Sequence, residues 1–231
     1  MLLKSFSKIN LTLSVNRKLK KKELHDLQSY FCLINLFDLI EIKKIKGTRD
    51  KVRFKGKFSH YVKIKNNSIV DTLKILRENK IITNYYSITI NKQIPVYAGL
   101  GGGTSNAACI VKYFCKNKVN KKILTTLEKK IGSDLRLFFY NQGFLKSLKI
   151  INNFKRKFKL YFLLVYPNIK CSTQHIFSEI IKYSPKSKQS LDKLKSTNSL
   201  VEVLLKKKND LQSIVEKKYP IIRILIKEIG Q

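Results

Sequence analysis

Four of the nine glycines lie within residues 99–103, in the stretch VYAGLGGGTSNAA at 96–108. Glycine lets the backbone adopt positive φ and approach an anion closely. A strand pattern precedes the stretch, and a helix pattern begins near Ser105, so the unpaired first N–H groups of that helix add a positive dipole end. The side chains of Thr104, Ser105 and Asn106 supply further donors. The stretch therefore predicts a phosphate-binding loop, the alternative being a turn with an ordinary Ser/Thr helix cap.

This loop differs from the two common nucleotide fingerprints. A Walker A loop ends in Gly-Lys-Ser/Thr, whereas Gly103 is followed by Thr104 with no lysine. A dinucleotide fingerprint requires a glycine at the position that Thr104 holds. The sequence therefore predicts a phosphate loop of another kind.

A side chain that could take a proton in chemistry beside such a loop would be a carboxylate. Asp134 is the sole carboxylate between Glu128 and Glu179, in a chain with 15 Asp and Glu. From its local sequence alone, Asp134 in GSDL fits a helix N-cap better than a catalytic base. Lys8 alone is one of 48 lysines and arginines.

The formal net charge of +33 raises the possibility of nucleic-acid binding. However, the lysines are spread along the whole chain, and the sequence has no tryptophan, no RRM-like aromatic signature and no helix-turn-helix pattern. We therefore interpret the charge as general lysine enrichment that also attracts anionic ligands. Nucleic acid is not the expected partner.

Composition limits the other classes. The four cysteines show no CxxC pairing, which favours free thiols over zinc or disulfides. The longest apolar stretches are far short of the roughly 20 residues of a membrane span, and the N-terminus is too polar for a signal peptide. We expect a cytoplasmic protein with no metal site built from its own side chains.

The elements that would position these residues can be read from periodicity. Period-two patterns predict strands within 2–15, 27–45 and 85–95, and FKLYFLLVYP at 158–167 predicts a buried strand. Helical spacing predicts helices after a cap at Asn67 or Ser68, over about 105–114, after Asn120 and from Pro220. Strands and helices mix without regular βαβ alternation, so the fold class is α+β. The polar, basic stretch NNFKRKFK at 152–159 favours a domain boundary.

The glycine loop with its preceding proline, PVYAGLGGGTSNAA, resembles the P-x-x-x-G-L-G-S/G-S/G-S/T-S motif of the GHMP kinases. Further segments resemble this family in the same order along the chain. They are SKINLTL (7–13), LHDLQS (24–29), NNSIVDTL (66–73), IGSDLRLFF (131–139), VYPNIKCSTQHIF (165–177) and NDLQSIVEKKYPII (209–222). The resemblance implies a GHMP-kinase-like two-domain fold. An ATP-binding domain of the ribosomal protein S5 domain 2-like type would span 1–152, and an α/β domain would span 153–231.

The resemblance also implies the catalytic and nucleotide-binding residues. Asp134 would accept the proton of the acceptor hydroxyl, while Lys8 would lower the pKa of that hydroxyl and steady the phosphoryl group. Asn67 would lie near the adenosine, although a helix cap explains it nearly as well. ATP, with Mg²⁺ carried by the nucleotide, would be bound by Pro95, Ala98, Gly99, Leu100, Gly101, Gly102, Gly103, Thr104, Ser105 and Asn106.

The acceptor implied by the resemblance is 4-diphosphocytidyl-2-C-methyl-D-erythritol (CDP-methylerythritol), phosphorylated on its 2-hydroxyl in isoprenoid precursor synthesis. His25 would recognise the edge of the cytosine, Phe177 would stack on it, Thr173 would lie nearby and Asn10 would line the substrate site. Taken alone, His25 fits a structural histidine and Phe177 a core residue. A monomer or homodimer is expected.

Two departures from the family pattern bear on these expectations. Leu24 stands where the family usually has a tyrosine before the histidine, so one aromatic face for the cytosine is missing. The sequence also ends before the third glycine-rich segment of the family, which predicts an incomplete second domain. The alternatives are a GHMP kinase for homoserine or mevalonate, and a non-catalytic basic remnant that binds nucleic acid.

Overall fold

The computed structural model describes residues 1–19, 24–154, 158–187 and 196–230, and they fold into two compact units. Unit 1 consists of Met1–Ile9 and Leu33–Asn141, and unit 2 consists of Asn10–Cys32 and Gln142–Gln231. Neither unit is one continuous stretch, because the 21-residue strand β3 (His25–Ile45) begins in unit 2 and ends in unit 1. The division into domains at residue 152 stays a prediction.

The sheet of unit 1 is built on the second part of β3. Strand β5 (Tyr85–Asn91) pairs with it antiparallel, in a register that sets Ile40 opposite Ile90 and Ile42 opposite Ile88. On its other side β5 pairs in parallel with β4 (Lys51–Lys55), and β1 (Leu2–Asn10) pairs with β3. The predicted strands are therefore confirmed, and the isoleucines of β3 and β5 enter the core.

Three α-helices complete unit 1, together with the 3₁₀ helices Ser59–Tyr61 and Ser133–Phe139. Helix α1 (Ser68–Glu78) buries Ile69, Leu73 and Leu76, as its spacing predicts. Helix α3 (Lys121–Ile131) follows its cap Asn120. Helix α2 (Gly102–Phe114) begins three residues before the predicted start at Ser105. The reason is that Gly102 and Gly103 themselves form its first turn.

Unit 2 contains a second antiparallel arrangement around the first part of β3. Strand β2 (Ser14–Lys18) pairs on one side and β6 (Gln142–Ser147) on the other, and β7 (Ile150–Asn153) pairs with β6. The ring of Tyr30 stacks on that of Phe144 with centroids 4.5 Å apart. The helices are α4 (Thr173–Ser178), α5 (Thr197–Leu205), α6 (Gln212–Lys218) and α7 (Pro220–Ile229). Proline opens α7, as predicted.

The predicted buried strand at 158–167 is wrong. Only Phe158 is buried there, with its backbone held by the side chain of Gln142, whereas the side chains of Tyr161 and Leu163 are 82% exposed. A strand needs a neighbour to pair its N–H and C=O groups, and no strand of the described residues pairs with this stretch. Within the same ranges, no helix has both the length and the apolar character needed to cross a bilayer.

We expect truncation of Leu76 to reveal how strongly unit 1 depends on its core. Leu76 is fully buried between α1 and the sheet, so Leu76→Ala should lower the free energy of unfolding by about 2–5 kcal/mol. Ile64→Ala is the control, because Ile64 is 71% exposed and its truncation should cost less than about 0.5 kcal/mol. Urea unfolding followed by circular dichroism measures both, and equal losses would contradict the assigned core.

Candidate active site

The glycine loop ends in a turn that strongly favours glycine. Gly101 is the N-cap of α2 and has φ of +69°, in the left-handed region that disfavours other residues. A Cβ placed on Gly101 would lie 2.8 Å from Cζ of Phe138. Phe138 is buried and belongs to the 3₁₀ helix Ser133–Phe139. The loop backbone therefore packs directly against the element that carries Asp134.

The first turn of α2 provides donors for an anion. The amide of Ser105 makes the first bond of the helix, to the carbonyl of Gly101 at 2.8 Å. The amides of 102–104 precede that bond, and such N–H groups have no partner within a helix. Two of the three predicted side-chain donors, Ser105 and Asn106, are buried, and Thr104 is partly exposed, so most donors here are main-chain groups. Ser105 Oγ lies 2.7 Å from Ser5 Oγ. The side chains of Ser105 and Asn106 therefore face the interior and not a ligand.

Lys8 and Asp134 form an ion pair next to this loop. The ammonium of Lys8 lies 2.8 Å from Oδ2 of Asp134, and the side chain of Lys8 is 3% exposed while that of Asp134 is 39% exposed. The backbone amide of Lys8 also donates to the carbonyl of Leu100 at 3.0 Å. One bond thus ties the strand that carries Lys8 to the glycine loop. Unit 1 brings together Lys8, Asp134 and the loop, although Lys8 and Asp134 are 126 positions apart in the chain.

Asn67 acts as the cap of α1. Its side-chain oxygen accepts from the amides of Ile69 at 3.0 Å and Val70 at 3.2 Å, and its amide donates to the carbonyls of Lys63 and Ile64. The neighbouring Ser68 donates to the carbonyl of Gly103 at 3.0 Å. The capping role is therefore confirmed, and the bond of Ser68 joins the start of α1 to the first turn of α2. A contact of Asn67 with adenosine stays a prediction.

Two buried residues beside the loop were missed by the sequence analysis. The ammonium of Lys92 contacts the carboxylate of Asp38 and donates to Oδ1 of Asn106 at 3.0 Å, and both charged side chains are almost fully buried. Burial lowers the pKa of Lys92, while Asp38 opposes that shift. The available signal was Asp38 itself, one carboxylate inside the apolar run LINLFDLI, where burial requires a cation.

The predicted acceptor residues lie in unit 2. The imidazole of His25 is buried and stacks on the ring of Phe177 with centroids 5.4 Å apart. Tyr183 also stacks on His25, at 6.2 Å. Burial, with a smaller contribution from the charge of Lys18, lowers the pKa of His25 below 6.5.

The other acceptor residues are placed differently. Asn10 accepts a hydrogen bond from Ser29 Oγ at 3.0 Å. Thr173, at the start of α4, is exposed, and Leu24 is 37% exposed. Phe177 is half-buried, whereas Ile176 beside it is buried. Phe177 therefore presents part of its ring outside the core, which the apolar spacing alone does not predict.

Comparison with known proteins identifies the family of this chain. Residues 67–140 match the GHMP kinases N terminal domain. The 4-diphosphocytidyl-2-C-methyl-D-erythritol kinase of Pelagibacter ubique is 35% identical, over 94% of this chain and 77% of the relative. That of Ureaplasma parvum is 31% identical, over 99% of this chain and 88% of the relative. The chain belongs to the 4-diphosphocytidyl-2-C-methyl-D-erythritol kinase family.

Solved structures support the fold of this kinase family member. A crystal structure of 4-(cytidine 5'-diphospho)-2C-methyl-D-erythritol kinase matches with a TM-score of 0.68 at 18% identity, covering 97% of this chain and 81% of the other. A mevalonate kinase matches with a TM-score of 0.51 at 14% identity, over 97% and 80% of the two chains. The predicted α+β, GHMP-kinase-like fold is therefore confirmed.

Substitution of two glycines in the kinase loop should separate a required glycine from a tolerant one. Gly101→Ala adds a Cβ against Phe138 at a positive φ, so it should lower the free energy of unfolding by about 1–3 kcal/mol. Gly103→Ala is the matched control, because the nearest atom to its Cβ is Ser68 Oγ at 3.7 Å. In a helix this change should be neutral or stabilising by up to about 1 kcal/mol. Urea unfolding decides, and equal destabilisation would refute the assigned backbone.

The buried imidazole should make stability depend on pH. The pKa of His25 lies below 6.5 in the folded chain and near 6.5 in the unfolded chain. Between the folded pKa and 6.5, the unfolded chain therefore binds the proton more readily than the folded chain does. This contribution to the free energy of unfolding should therefore fall as the pH drops from 6.5 to the folded pKa. An NMR titration of the ring protons measures the pKa, and His25→Gln should remove this part of the slope. A His25 pKa of 6.5 or higher would contradict the burial.

Proposed function

We propose that this chain transfers the γ-phosphate of ATP to the 2-hydroxyl of 4-diphosphocytidyl-2-C-methyl-D-erythritol. Membership of the family supports the substrate. The observation that carries the chemistry is the ion pair of Lys8 and Asp134, 2.8 Å apart, because the backbone of Lys8 is also bonded to the glycine loop at Leu100. A phosphate donor and a proton acceptor are both needed for this reaction, and unit 1 holds a candidate for each.

The phosphates of ATP are assigned to the glycine loop and to the first turn of α2. The main-chain amides of 102–104 point along the start of the helix, where the dipole favours negative charge. Gly101 keeps the turn free of a side chain, so the backbone can approach the phosphates closely. Pro95, Ala98 and Gly99 precede these amides in the same loop. Because the helix and loop fix these N–H donors before ATP binds, the donors stabilise the negative charge that develops on the phosphoryl group during transfer.

Asp134 is assigned as the acceptor of the hydroxyl proton and Lys8 as its partner. The carboxylate is 39% exposed, so one side of it can receive an alcohol while the other contacts Lys8. The buried ammonium stabilises the carboxylate, and it also offers a positive charge to the alkoxide and to the moving phosphoryl group. This arrangement activates the alcohol without a covalent intermediate.

The cytidine part of the acceptor is assigned to unit 2. A lowered pKa keeps His25 neutral near pH 7, so the imidazole has one donor and one acceptor nitrogen, which suits the edge of a cytosine. Phe177 offers a partly exposed ring for stacking. Asn10 and Thr173 add polar groups for the rest of the acceptor.

Mg²⁺ is proposed to arrive with the nucleotide. Magnesium is usually held by one or two carboxylates together with substrate phosphates and water. Asp134 is the partly exposed carboxylate beside the loop, and within the described ranges no three His, Cys, Asp or Glu side chains gather into a metal site. When bound, the cation would neutralise charge on the β- and γ-phosphates. We further propose a cytoplasmic monomer or homodimer that does not use nucleic acid as a ligand.

Loss of either member of the ion pair should remove turnover, and kcat is referred to the folded fraction because Asp134→Asn leaves the buried ammonium of Lys8 without its partner. Asp134→Asn and Lys8→Met should each lower kcat by about 10²–10⁴-fold, the usual contribution of a positioned acid or base. The matched control is Asp71→Asn, which breaks the more exposed pair of Asp71 with Lys130 at 3.7 Å and should leave kcat unchanged. ADP release in a coupled assay measures all three. An Asp134→Asn protein as fast as the parent would falsify the proposed mechanism.

The acceptor is tested by comparing alcohols in the same assay. We expect ADP release with CDP-methylerythritol, and much slower release with homoserine or mevalonate. Tight, salt-sensitive binding to RNA or DNA without ATP turnover would instead favour the non-catalytic alternative.

A further inference from the structure

The glycine loop is flanked by a buried polar cluster that the proposed mechanism does not use. The cluster consists of Asp38 on β3, Lys92 just after β5, Asn106 on α2 and Ser5 on β1. All four residues are at most 2% exposed. They lie in unit 1, and they connect β1, β3 and the end of β5 to helix α2.

Asp38 holds both ends of the loop. One of its carboxylate oxygens accepts from the backbone amides of Gln93 at 2.7 Å and Ile94 at 2.9 Å, at the start of the loop. Its other oxygen contacts the ammonium of Lys92 and accepts from Nδ2 of Asn106 at 3.0 Å, one turn into α2. A single buried carboxylate therefore fixes the chain before the glycines and the helix after them.

Lys92 lies beneath the first helical residue. A Cβ placed on Gly102 would be 3.3 Å from Nζ of Lys92 and 3.2 Å from Cγ2 of Ile94. The ammonium also donates to Oδ1 of Asn106 at 3.0 Å. A positive charge is thus buried next to the amides that would face the phosphates. It cannot leave this place at low cost, because its counter-ion Asp38 is itself fully buried.

We propose that Lys92 and Asp38 are positioning residues that hold the glycine loop and the first turn of α2 in the conformation that binds ATP. This inference rests on the proposed function of the loop. The pair does not touch the nucleotide. It acts by keeping the amides of 102–104 in place before binding, so that ATP does not have to order them. The pair also directs its positive end toward Gly102, which adds to the field of the helix.

The test uses a variant that removes both charges together. Asp38→Asn/Lys92→Met keeps a side-chain oxygen for the amides of Gln93 and Ile94, and it leaves no unpaired buried charge, which usually preserves stability. The matched control is Asp50→Asn/Arg77→Met. Arg77 and Asp50 form a two-bond ion pair in the same unit, at 2.9 and 3.1 Å, and join α1 to the segment before β4. Within the part of the chain that the structure describes, the hydrogen bonds of this pair reach Leu73, Asn84 and Tyr86 and not the loop.

Calorimetric titration with ATP and Mg²⁺ gives the decisive readout. For Asp38→Asn/Lys92→Met we expect the Kd for ATP to rise by about tenfold, a loss of about 1.4 kcal/mol. The KM for ATP should rise in parallel, while kcat at saturating ATP changes by less than about threefold. The control should bind ATP as the parent does. Faster exchange of the amides of 94–106 in deuterium oxide should accompany the weaker binding.

A merely structural pair would give a different result. It would lower the fraction of folded protein, and so the stoichiometry of binding, in both double variants without changing the Kd. That outcome, or an unchanged Kd in Asp38→Asn/Lys92→Met, overturns the proposal. If this variant does not fold, Asn106→Leu, which keeps both charges and removes the bond between Asp38 and α2, is judged by the same criterion. The titration needs no acceptor. Weakened ATP binding would therefore support the positioning role of Lys92 and Asp38 even if CDP-methylerythritol is not phosphorylated.

Discussion

A phosphate loop made of glycine cannot hold its own shape, and this constraint governs unit 1. Residues 99–103 have almost no side chains with which to pack, and each glycine loses more backbone freedom on ordering than another residue would. The loop is therefore fixed by its neighbours. Phe138 supports Gly101, Leu100 is bonded to the backbone of β1, and Ser68 is bonded to Gly103. Each of these contacts also connects the loop to an element that carries a candidate functional residue.

Two ion pairs, each with a buried lysine, fix the strands and helices that surround the loop. Lys8 and Lys92 are both almost fully buried beside the loop, and each is paired with one carboxylate. A buried ammonium without its partner costs several kcal/mol, so each pair tolerates few arrangements of the strands around it. The two pairs differ in exposure. Asp38 is enclosed, whereas Asp134 reaches solvent, and this difference separates an internal support from a group that can meet a substrate.

Sequence reasoning was successful where local periodicity and a family motif agreed. The caps Asn67 and Asn120 and the apolar faces of α1 and α3 follow from helical spacing, and the glycine motif located the N-terminus of α2 to within three residues. Lys92 could not be found, because one lysine among 48 basic residues carries no signal until its burial is known. Residues 158–167 were misjudged for a related reason. Apolar composition predicts burial, but a strand forms only where another strand can pair with it.

The path of β3 has a consequence for folding during synthesis. Residues 10–32 emerge from the ribosome early, yet their partner strand β6 begins only at Gln142. Unit 1, in contrast, has all of its chain once Asn141 has been made. Nascent chains generally fold in the order in which complete units appear. The first-made half of β3 must therefore wait, unpaired on its β6 side, while more than a hundred later residues are added, and this interval is when the chain is most open to chaperones and to aggregation.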